Sequence, residues 1–189
     1  MPQFTKKAIM DSFIELLNKN PFDKITVKEI VEHCGINRNT FYYYFQDIYD
    51  LLEQLFMTEA QKVIEENHMF DSWQDGFLQS AKFVFENKTA IHHIYTSISK
   101  DQLEKYLYNI TEKMMVDFVR QEAIKNNLTV REEDIKYIAI FYKYALVGIA
   151  LSWIENGMKE DPKEAISKFG DLFDGSIKTA LIRVSKNNI

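Results

Sequence analysis

The fold is decided by one stretch of the chain, Gly35-Ile36-Asn37-Arg38-Asn39-Thr40-Phe41-Tyr42-Tyr43-Tyr44-Phe45. Its eleven residues combine a glycine suited to a turn, an asparagine suited to capping a helix, one arginine and five aromatic side chains. No carboxylate occurs in the fourteen residues from His33 to Gln46. A short helix of this composition is a poor core element, and it is well suited to probing the surface of a polyanion.

Two short helices joined by the glycine turn are predicted around this stretch. Thr26 and Glu29 have the spacing of a capping box, which starts the first of them. Asn37 caps the second, in which Phe41 and Phe45 lie four residues apart on one face. With a preceding amphipathic helix to brace it, the pair has the pattern of a helix-turn-helix unit, whose second helix enters the major groove of DNA.

The polar residues of this unit suit contacts with DNA. Arg38 can contact guanine through two hydrogen bonds, and Asn39 or Asn37 can contact adenine in the same way. Hydroxyl groups and free N–H groups at helix N-termini suit phosphates. The predicted DNA-binding residues are Thr26, Asn37, Arg38, Asn39, Thr40, Tyr42, Tyr43 and Tyr44. The alternative is a helical hairpin whose tyrosines only cover the edge of a core.

Charge and composition narrow the class of protein. The net charge of the 189 residues is −5, but the part up to Gln46 carries +1 and the part from Asp47 onward carries −6. An acidic body would be repelled by phosphates, which leaves the N-terminal face to approach DNA. The single cysteine, Cys34, fits a reducing cytoplasm. The sequence shows neither a signal peptide nor 18 consecutive apolar residues, so we expect a cytoplasmic protein without a membrane span.

The remaining chain is expected to be helical as well. We predict an all-α fold of about nine helices, with a DNA-binding domain at 1–46 and an effector-binding and dimerisation domain at 47–189. The helix at 47–66 is predicted to link them. The further helices are predicted at 72–86, 88–97, 100–126, 131–156 and 162–186, from apolar stripes at helical spacing between polar or proline-containing breaks.

The stretch from Thr26 to Phe45 resembles the signature of the TetR/AcrR family of transcriptional regulators, and the resemblance covers about residues 5–55. It implies an all-helical homodimer with an N-terminal DNA-binding domain and a C-terminal ligand-binding domain. The run 144–158 is similar to a Firmicutes-type subgroup that includes regulators of dihydroxyacetone kinase operons. Ile48 departs from the pattern, since a phosphate-contacting lysine is frequent there; either Tyr49 replaces that contact or no residue does.

The C-terminal region is rich in aromatic residues and lacks a catalytic grouping. A pocket lined by such side chains suits a small apolar or aromatic effector, although a tyrosine-rich core explains them equally well. The predicted ligand-binding residues are Tyr95, Tyr106, Phe118, Tyr142 and Trp153. His92 and His93 diverge on a helix, so we expect no metal site there, and no motif indicates a cofactor.

The two C-terminal helices present more apolar surface than one chain can cover, which predicts a homodimer. The predicted interface residues are Gly148, Phe169, Phe173, Ile177 and Leu181. Such a dimer would bind palindromic operator DNA, and we expect a repressor that a small ligand releases. A regulator or co-activator acting through a protein partner is the alternative. An all-helical enzyme is a third hypothesis, against which the missing catalytic grouping argues.

Overall fold

The computed structural model of the chain describes residues 2–66, 73–173 and 175–186. All regular secondary structure in these residues is helical, which confirms the expected all-α class. The α-helices are α1 (Pro2–Leu17), α2 (Val27–Cys34), α3 (Arg38–Tyr44), α4 (Ile48–Glu66), α5 (Trp73–Glu86), α6 (Lys88–Ser97), α7 (Lys100–Lys125), α8 (Glu132–Glu155), α9 (Pro162–Phe173) and α10 (Ser176–Lys186). A short 3-10 helix, Phe22–Lys24, lies in the connection between α1 and α2.

The last predicted helix, 162–186, is divided into α9 and α10, which adds one helix to the predicted nine. The apolar stripe of this region is continuous in sequence, but Gly175 has a φ of 65°. A left-handed residue of this kind interrupts a right-handed helix, and glycine adopts it without steric cost. The division lets α9 pack against α5 while α10 packs against α7 and α8.

One buried apolar cluster joins the N-terminal helices to the body. It contains Phe13 and Leu17 of α1 and Phe41 of α3, together with Ile91 and Ile94 of α6. Residues of α4, α7 and α8 complete it. The core therefore continues across the predicted boundary at 46/47, and the division into two domains stays a prediction.

A second buried cluster holds α10 against the hairpin of α7 and α8. It includes Val119 of α7 and Ala139 of α8, both fully buried, and Ile177 and Leu181 of α10. Ile177 is 4% exposed and Leu181 is 0% exposed within the single chain. Both side chains therefore pack inside the protomer, and their part in a dimer interface stays a prediction.

Among the described residues, α8 is long and apolar enough to cross a membrane by length and composition alone. Its most apolar 18-residue window has a mean hydropathy of 1.6, and 39% of that window is buried inside the protein. A core helix of a soluble protein passes the same test, so this evidence is weak. The helix also carries an ion pair, since its buried Lys143 contacts the exposed Glu112 of α7 at 2.7 Å.

Candidate nucleic-acid interface

The turn between α2 and α3 is fixed by local hydrogen bonds that the sequence predicts correctly. The hydroxyl of Thr26 accepts from the Glu29 N–H at 3.3 Å, and Glu29 Oε2 accepts from the Thr26 N–H at 2.8 Å, which completes the capping box. The hydroxyl of Thr26 donates to the same carboxylate, and these bonds lower the pKa of Glu29. Gly35 ends α2 with a φ of 70°, a conformation that favours glycine.

Asn37 is the N-cap of α3, as predicted. Its Oδ1 accepts from the Thr40 N–H at 2.9 Å and from the Thr40 hydroxyl at 3.1 Å. Both lone pairs of this oxygen are therefore engaged. Because a bidentate contact with adenine needs the amide oxygen as an acceptor, Asn37 could read a base only by giving up its cap. The structure favours Asn39 for that contact.

The two faces of α3 differ sharply in exposure. Phe41 is 0% exposed and Phe45, directly after the helix, is 1% exposed; their ring centroids are 5.6 Å apart. On the opposite face Tyr42 is 55% exposed and Tyr43 is 78% exposed. The buried phenylalanines thus anchor α3 to the core and leave its other face available to a ligand.

Arg38 and Asn39 lie at the start of this exposed face, and both side chains are exposed. Among the described residues, no carboxylate lies within 4.0 Å of the Arg38 guanidinium, so its charge is available to a partner. Tyr44 is half-buried against the core, and its ring packs edge-on against Tyr43 at 4.9 Å. Four of the eight predicted residues therefore share the open face: Arg38, Asn39, Tyr42 and Tyr43.

Two residues beside α3 bear on phosphate contacts. Ile48 is half-buried against the core, so it replaces the lysine of the family pattern with a packing residue. Tyr49 is 44% exposed, and its ring lies edge-on to Phe22 at 5.1 Å. Lys6, which sequence reasoning did not select, lies with Nζ 5.8 Å from the centroid of the Phe45 ring. It brings a positive charge next to the end of α3.

A half-open groove of about 1450 Å³ lies between α5, α7, α8 and α9. Phe118 and Trp153 line it, as the ligand prediction expects. Tyr95, Tyr106 and Tyr142 do not line it. Tyr106 and Tyr142 are buried in the two apolar clusters, and their hydroxyls bond to Gln102 and Ser176. For these tyrosines the structure supports the competing interpretation, a tyrosine-rich core.

Several groove residues were missed from sequence. They include Val84 on α5, Ile110 and Met114 on α7, and Ile166 on α9. Their apolar spacing indicated helices with a packed face, but spacing cannot show that a gap remains between the helices. Gly148 and Phe169, predicted for the dimer interface, also line the groove, whereas Phe173 does not line it and is 44% exposed.

In the part of the chain that the structure describes, no group of three or more His, Cys, Asp or Glu side chains could hold a metal ion. His93 uses its ring instead in a hydrogen bond to the backbone of α1. Cys34 is half-buried, and burial raises the pKa of its thiol.

Two family models match the chain. The model described as bacterial regulatory proteins, tetR family, matches residues 9–55, and the model described as transcriptional regulator C-terminal region matches residues 71–175. The first covers the helix-turn-helix described above. The second covers more than half of the chain, including the groove and the helices around it.

Two individual relatives are also transcriptional regulators by name. The HTH-type dhaKLM operon transcriptional activator DhaS of Lactococcus lactis subsp. lactis is 29% identical over 116 residues, which are 60% of this chain and 62% of DhaS. The uncharacterized HTH-type transcriptional regulator YxbF of Bacillus subtilis is 23% identical over 173 residues, which are 89% of this chain and 44% of YxbF. The matches thus span about three fifths and less than half of these relatives' lengths.

A solved structure of the dihydroxyacetone kinase operon activator DhaS has the same fold. Its TM-score is 0.74 at 23% sequence identity, and the superposition covers 93% of this chain and 97% of that one. The helix order, the two matched regions and the exposed face of α3 all support the same family assignment. This chain belongs to the TetR family of bacterial regulatory proteins.

Proposed function

We propose that this protein is a cytoplasmic, sequence-specific transcriptional regulator that binds palindromic double-stranded DNA as a homodimer. The observation that carries the proposal is the exposed face of α3, where an arginine without an acidic neighbour stands beside an asparagine and two exposed tyrosines. The names of the matched relatives, which are regulators, support the same conclusion.

The residues of the interface have different roles in this proposal. Arg38 contacts guanine and Asn39 contacts adenine in the major groove. Tyr42 and Tyr43 bind phosphates through their hydroxyls, which fixes the register of the helix on the duplex. Thr26, Asn37 and Thr40 act mainly through the backbone, because their side chains hold the N-termini of α2 and α3 in place.

An exposed aromatic stripe on α8 supports the homodimer. Tyr137, Phe141 and Tyr144 are 66%, 64% and 56% exposed, and they recur at helical spacing. Gly148 continues the stripe, and apart from its own helix backbone no atom lies within 4 Å of a Cβ added there. A second copy of α8 could approach closely at that point and cover the aromatic rings. Two α3 helices would then meet successive major grooves, about 34–36 Å apart.

We place the effector in the groove between α5, α7, α8 and α9. At about 1450 Å³ this groove exceeds the roughly 300–1000 Å³ of ordinary small-molecule pockets, so a bulky or elongated apolar compound fits it better than a single small ring. Val147 and Ile154 of the groove wall belong to the same buried cluster as Ile91 and Ile94 of α6. A ligand that favours one packing of this cluster would shift the position of the N-terminal helices and release the operator.

Activation through a protein partner is the second candidate. The relative DhaS is named an activator, and the part of this chain from Asp47 onward carries seventeen basic and twenty-three acidic residues. An acidic body can attract a basic surface of a partner without binding the DNA itself. The direction of regulation distinguishes the two candidates.

Genomic footprinting with the full-length protein tests the proposal. It is expected to recover palindromic sites upstream of a small set of genes, and transcripts of those genes should rise on deletion of a repressor and fall on deletion of an activator. Binding that shows no preference among genomic sequences would rule out a specific regulator. A linear fall of log affinity with log salt is expected on any site, because phosphate contacts release counterions.

A further inference from the structure

The last residue of α1 has a backbone carbonyl that the sequence itself leaves without a helical partner. Leu17 is the last residue of α1, and its carbonyl would accept from the N–H four residues later. That residue is Pro21, which has no N–H. The N–H groups of Asn18, Lys19 and Asn20 bond instead to Ile14 or Leu16. The N–H groups that follow Leu17 thus leave its carbonyl available to a donor from elsewhere.

His93 of α6 supplies that donor. Its Nδ1 lies 2.7 Å from the Leu17 carbonyl oxygen, across 76 residues of sequence. Because a carbonyl can only accept, the hydrogen must be on Nδ1. The ring is half-buried, which shields this bond from competition with water.

Ser97 makes a second contact one helical turn further along α6. Its hydroxyl lies 3.4 Å from Oδ1 of Asp23, in the 3-10 helix that follows Pro21. Residues four apart share one face of a helix, so His93 and Ser97 together hold the segment 17–23. We call this pair of residues the α6 clamp. Ile94, next to His93 on α6, packs in the buried cluster, so apolar contacts lie beside the polar ones.

Apolar packing and polar bonds have different consequences at such a contact. The buried cluster attaches α1 to α6, but apolar contact alone is non-directional and tolerates small rotations. Hydrogen bonds require donor, hydrogen and acceptor to be nearly in line, so they fix one orientation. The segment that the clamp holds leads directly into α2 and then into α3. Its orientation therefore sets the direction in which α3 points away from the body.

We propose that His93 and Ser97 determine the spacing between half-sites that the dimer accepts. Adding one base pair between half-sites moves each half-site relative to the other by about 3.4 Å and rotates it by about 34–36°. A dimer whose α3 helices are held in one orientation binds one spacing well, whereas loosely held helices adapt to several. This inference rests on the proposed function, because it needs a dimer that binds a palindrome.

The test begins with the full-length protein and a randomised library of duplexes. Selection should enrich a palindrome, and its central spacer is then shortened or lengthened by one and by two base pairs. The ratio of the Kd on an altered spacer to the Kd on the selected spacer measures spacing selectivity. We compare the wild type with His93→Phe, Ser97→Ala and the double variant. His92→Phe is the matched control, since His92 is exposed and adjacent on α6.

One hydrogen bond contributes about two- to twelvefold to an equilibrium constant. His93→Phe should lower the spacing ratio by a factor in that range, Ser97→Ala should lower it by less because its contact is 3.4 Å long and exposed, and the double variant should lower it most. Binding to a duplex with one half-site should remain unchanged. His93→Asn, whose amide nitrogen is bonded to Cγ as Nδ1 is, can donate to the same carbonyl and should retain selectivity closer to that of the wild type. If His93→Phe fails to fold, the contrast between His93→Asn and His93→Ala carries the test.

Two results would overturn the inference: an unchanged spacing ratio in folded clamp variants, or an equal loss of affinity at every spacing. The second would reduce the clamp to a purely structural contact. Failure of the wild-type protein to enrich any palindrome is a separate outcome, because it contradicts the proposed function before the clamp is tested.

Discussion

The ammonium of Lys143 on α8 lies 2.7 Å from Glu112 Oε2 on α7, although the lysine is only 7% exposed. Its Nζ also lies 4.7 Å from the ring centroid of Tyr144 and 5.7 Å from that of Tyr108. The glutamate side chain is 48% exposed, so the two partners differ in burial. The buried ammonium of Lys143 therefore depends on Glu112 for its solvation, whereas water can solvate the Glu112 carboxylate.

Removing one partner or the other should therefore change the free energy of unfolding by unequal amounts. Glu112→Ala leaves a buried ammonium without its carboxylate and should lower the free energy of unfolding by about 1–3 kcal/mol, less than for a pair buried on both sides. Lys143→Met keeps the packed stem and removes the buried charge, so the change should stay within about 1 kcal/mol. Urea unfolding measures both, and a larger loss for Lys143→Met would contradict this account.

Base reading by α3 can be separated from phosphate binding. Arg38→Ala or Asn39→Ala should weaken binding to the specific site by about 1–3 kcal/mol and relax the preference at the base pair contacted. Tyr43→Phe removes only a hydroxyl and should weaken binding nearly equally on all sequences. Fluorescence anisotropy on the selected site and on single-base variants measures both effects. A loss that is the same on every sequence for Arg38→Ala would assign that residue to the backbone.

Because Asn37 caps α3, we expect substitutions at this residue to change folding stability and DNA affinity in different ways. Asn37→Ala loses the acceptor for Thr40 and should lower the free energy of unfolding by about 1 kcal/mol. Asn37→Asp keeps the acceptor and should preserve stability, but it adds a negative charge at the face that approaches phosphates.

We expect Asn37→Asp to bind DNA more weakly at low salt than Asn37→Ala does, although it is the more stable variant. Thermal unfolding and anisotropy at two salt concentrations compare the two proteins. If Asn37→Ala changes base preference without loss of stability, Asn37 reads DNA directly and the cap is secondary.

The capping box at α2 predicts acid sensitivity of the N-terminal helices. The bonds from Thr26 lower the pKa of Glu29 below its ordinary value of 4.5. A group with a lowered pKa in the folded state contributes stability above its unfolded pKa and loses it as the pH falls through the folded pKa. The wild type should therefore lose stability below about pH 4.5 more steeply than Glu29→Gln. Glu32→Gln, on the same helix but outside the capping box, is the control in unfolding curves measured across this range.

Gly148 gives a direct test of the dimer interface. Its backbone is helical and a Cβ added there meets open space in the protomer, so Gly148→Ala should fold, and the half-open groove beside it leaves room for the larger Gly148→Leu. If a second α8 approaches at this residue, Gly148→Leu should weaken the dimer by about tenfold or more, while Gly148→Ala should have a smaller effect. Analytical ultracentrifugation reports the association constant. A dimer of unchanged strength in Gly148→Leu would move the interface elsewhere.

The features that the sequence predicted correctly are local. A capping box, a glycine with positive φ and an asparagine N-cap each depend on residues within four positions of one another. The groove depends on the positions of α5 and α9, and no pattern along the chain reports the distance between helices. The aromatic composition therefore led to Tyr106 and Tyr142, which are core residues. Pro21 shows from sequence that the Leu17 carbonyl lacks a helical donor, but the sequence does not show that His93 of α6 supplies one.

The shared core of α1, α6 and α8 limits how this protein can be recombined with its relatives. A transplant of residues 1–46 into another regulator would bring Leu17 against a foreign α6 and separate it from Ile91 and Ile94. The transferable unit is therefore discontinuous in sequence: the N-terminal helices together with the face of α6 that receives them. Chimeras that exchange this whole unit should stay soluble and keep their DNA specificity. Chimeras joined only at residue 46 would pack α1 against an α6 with non-matching apolar side chains.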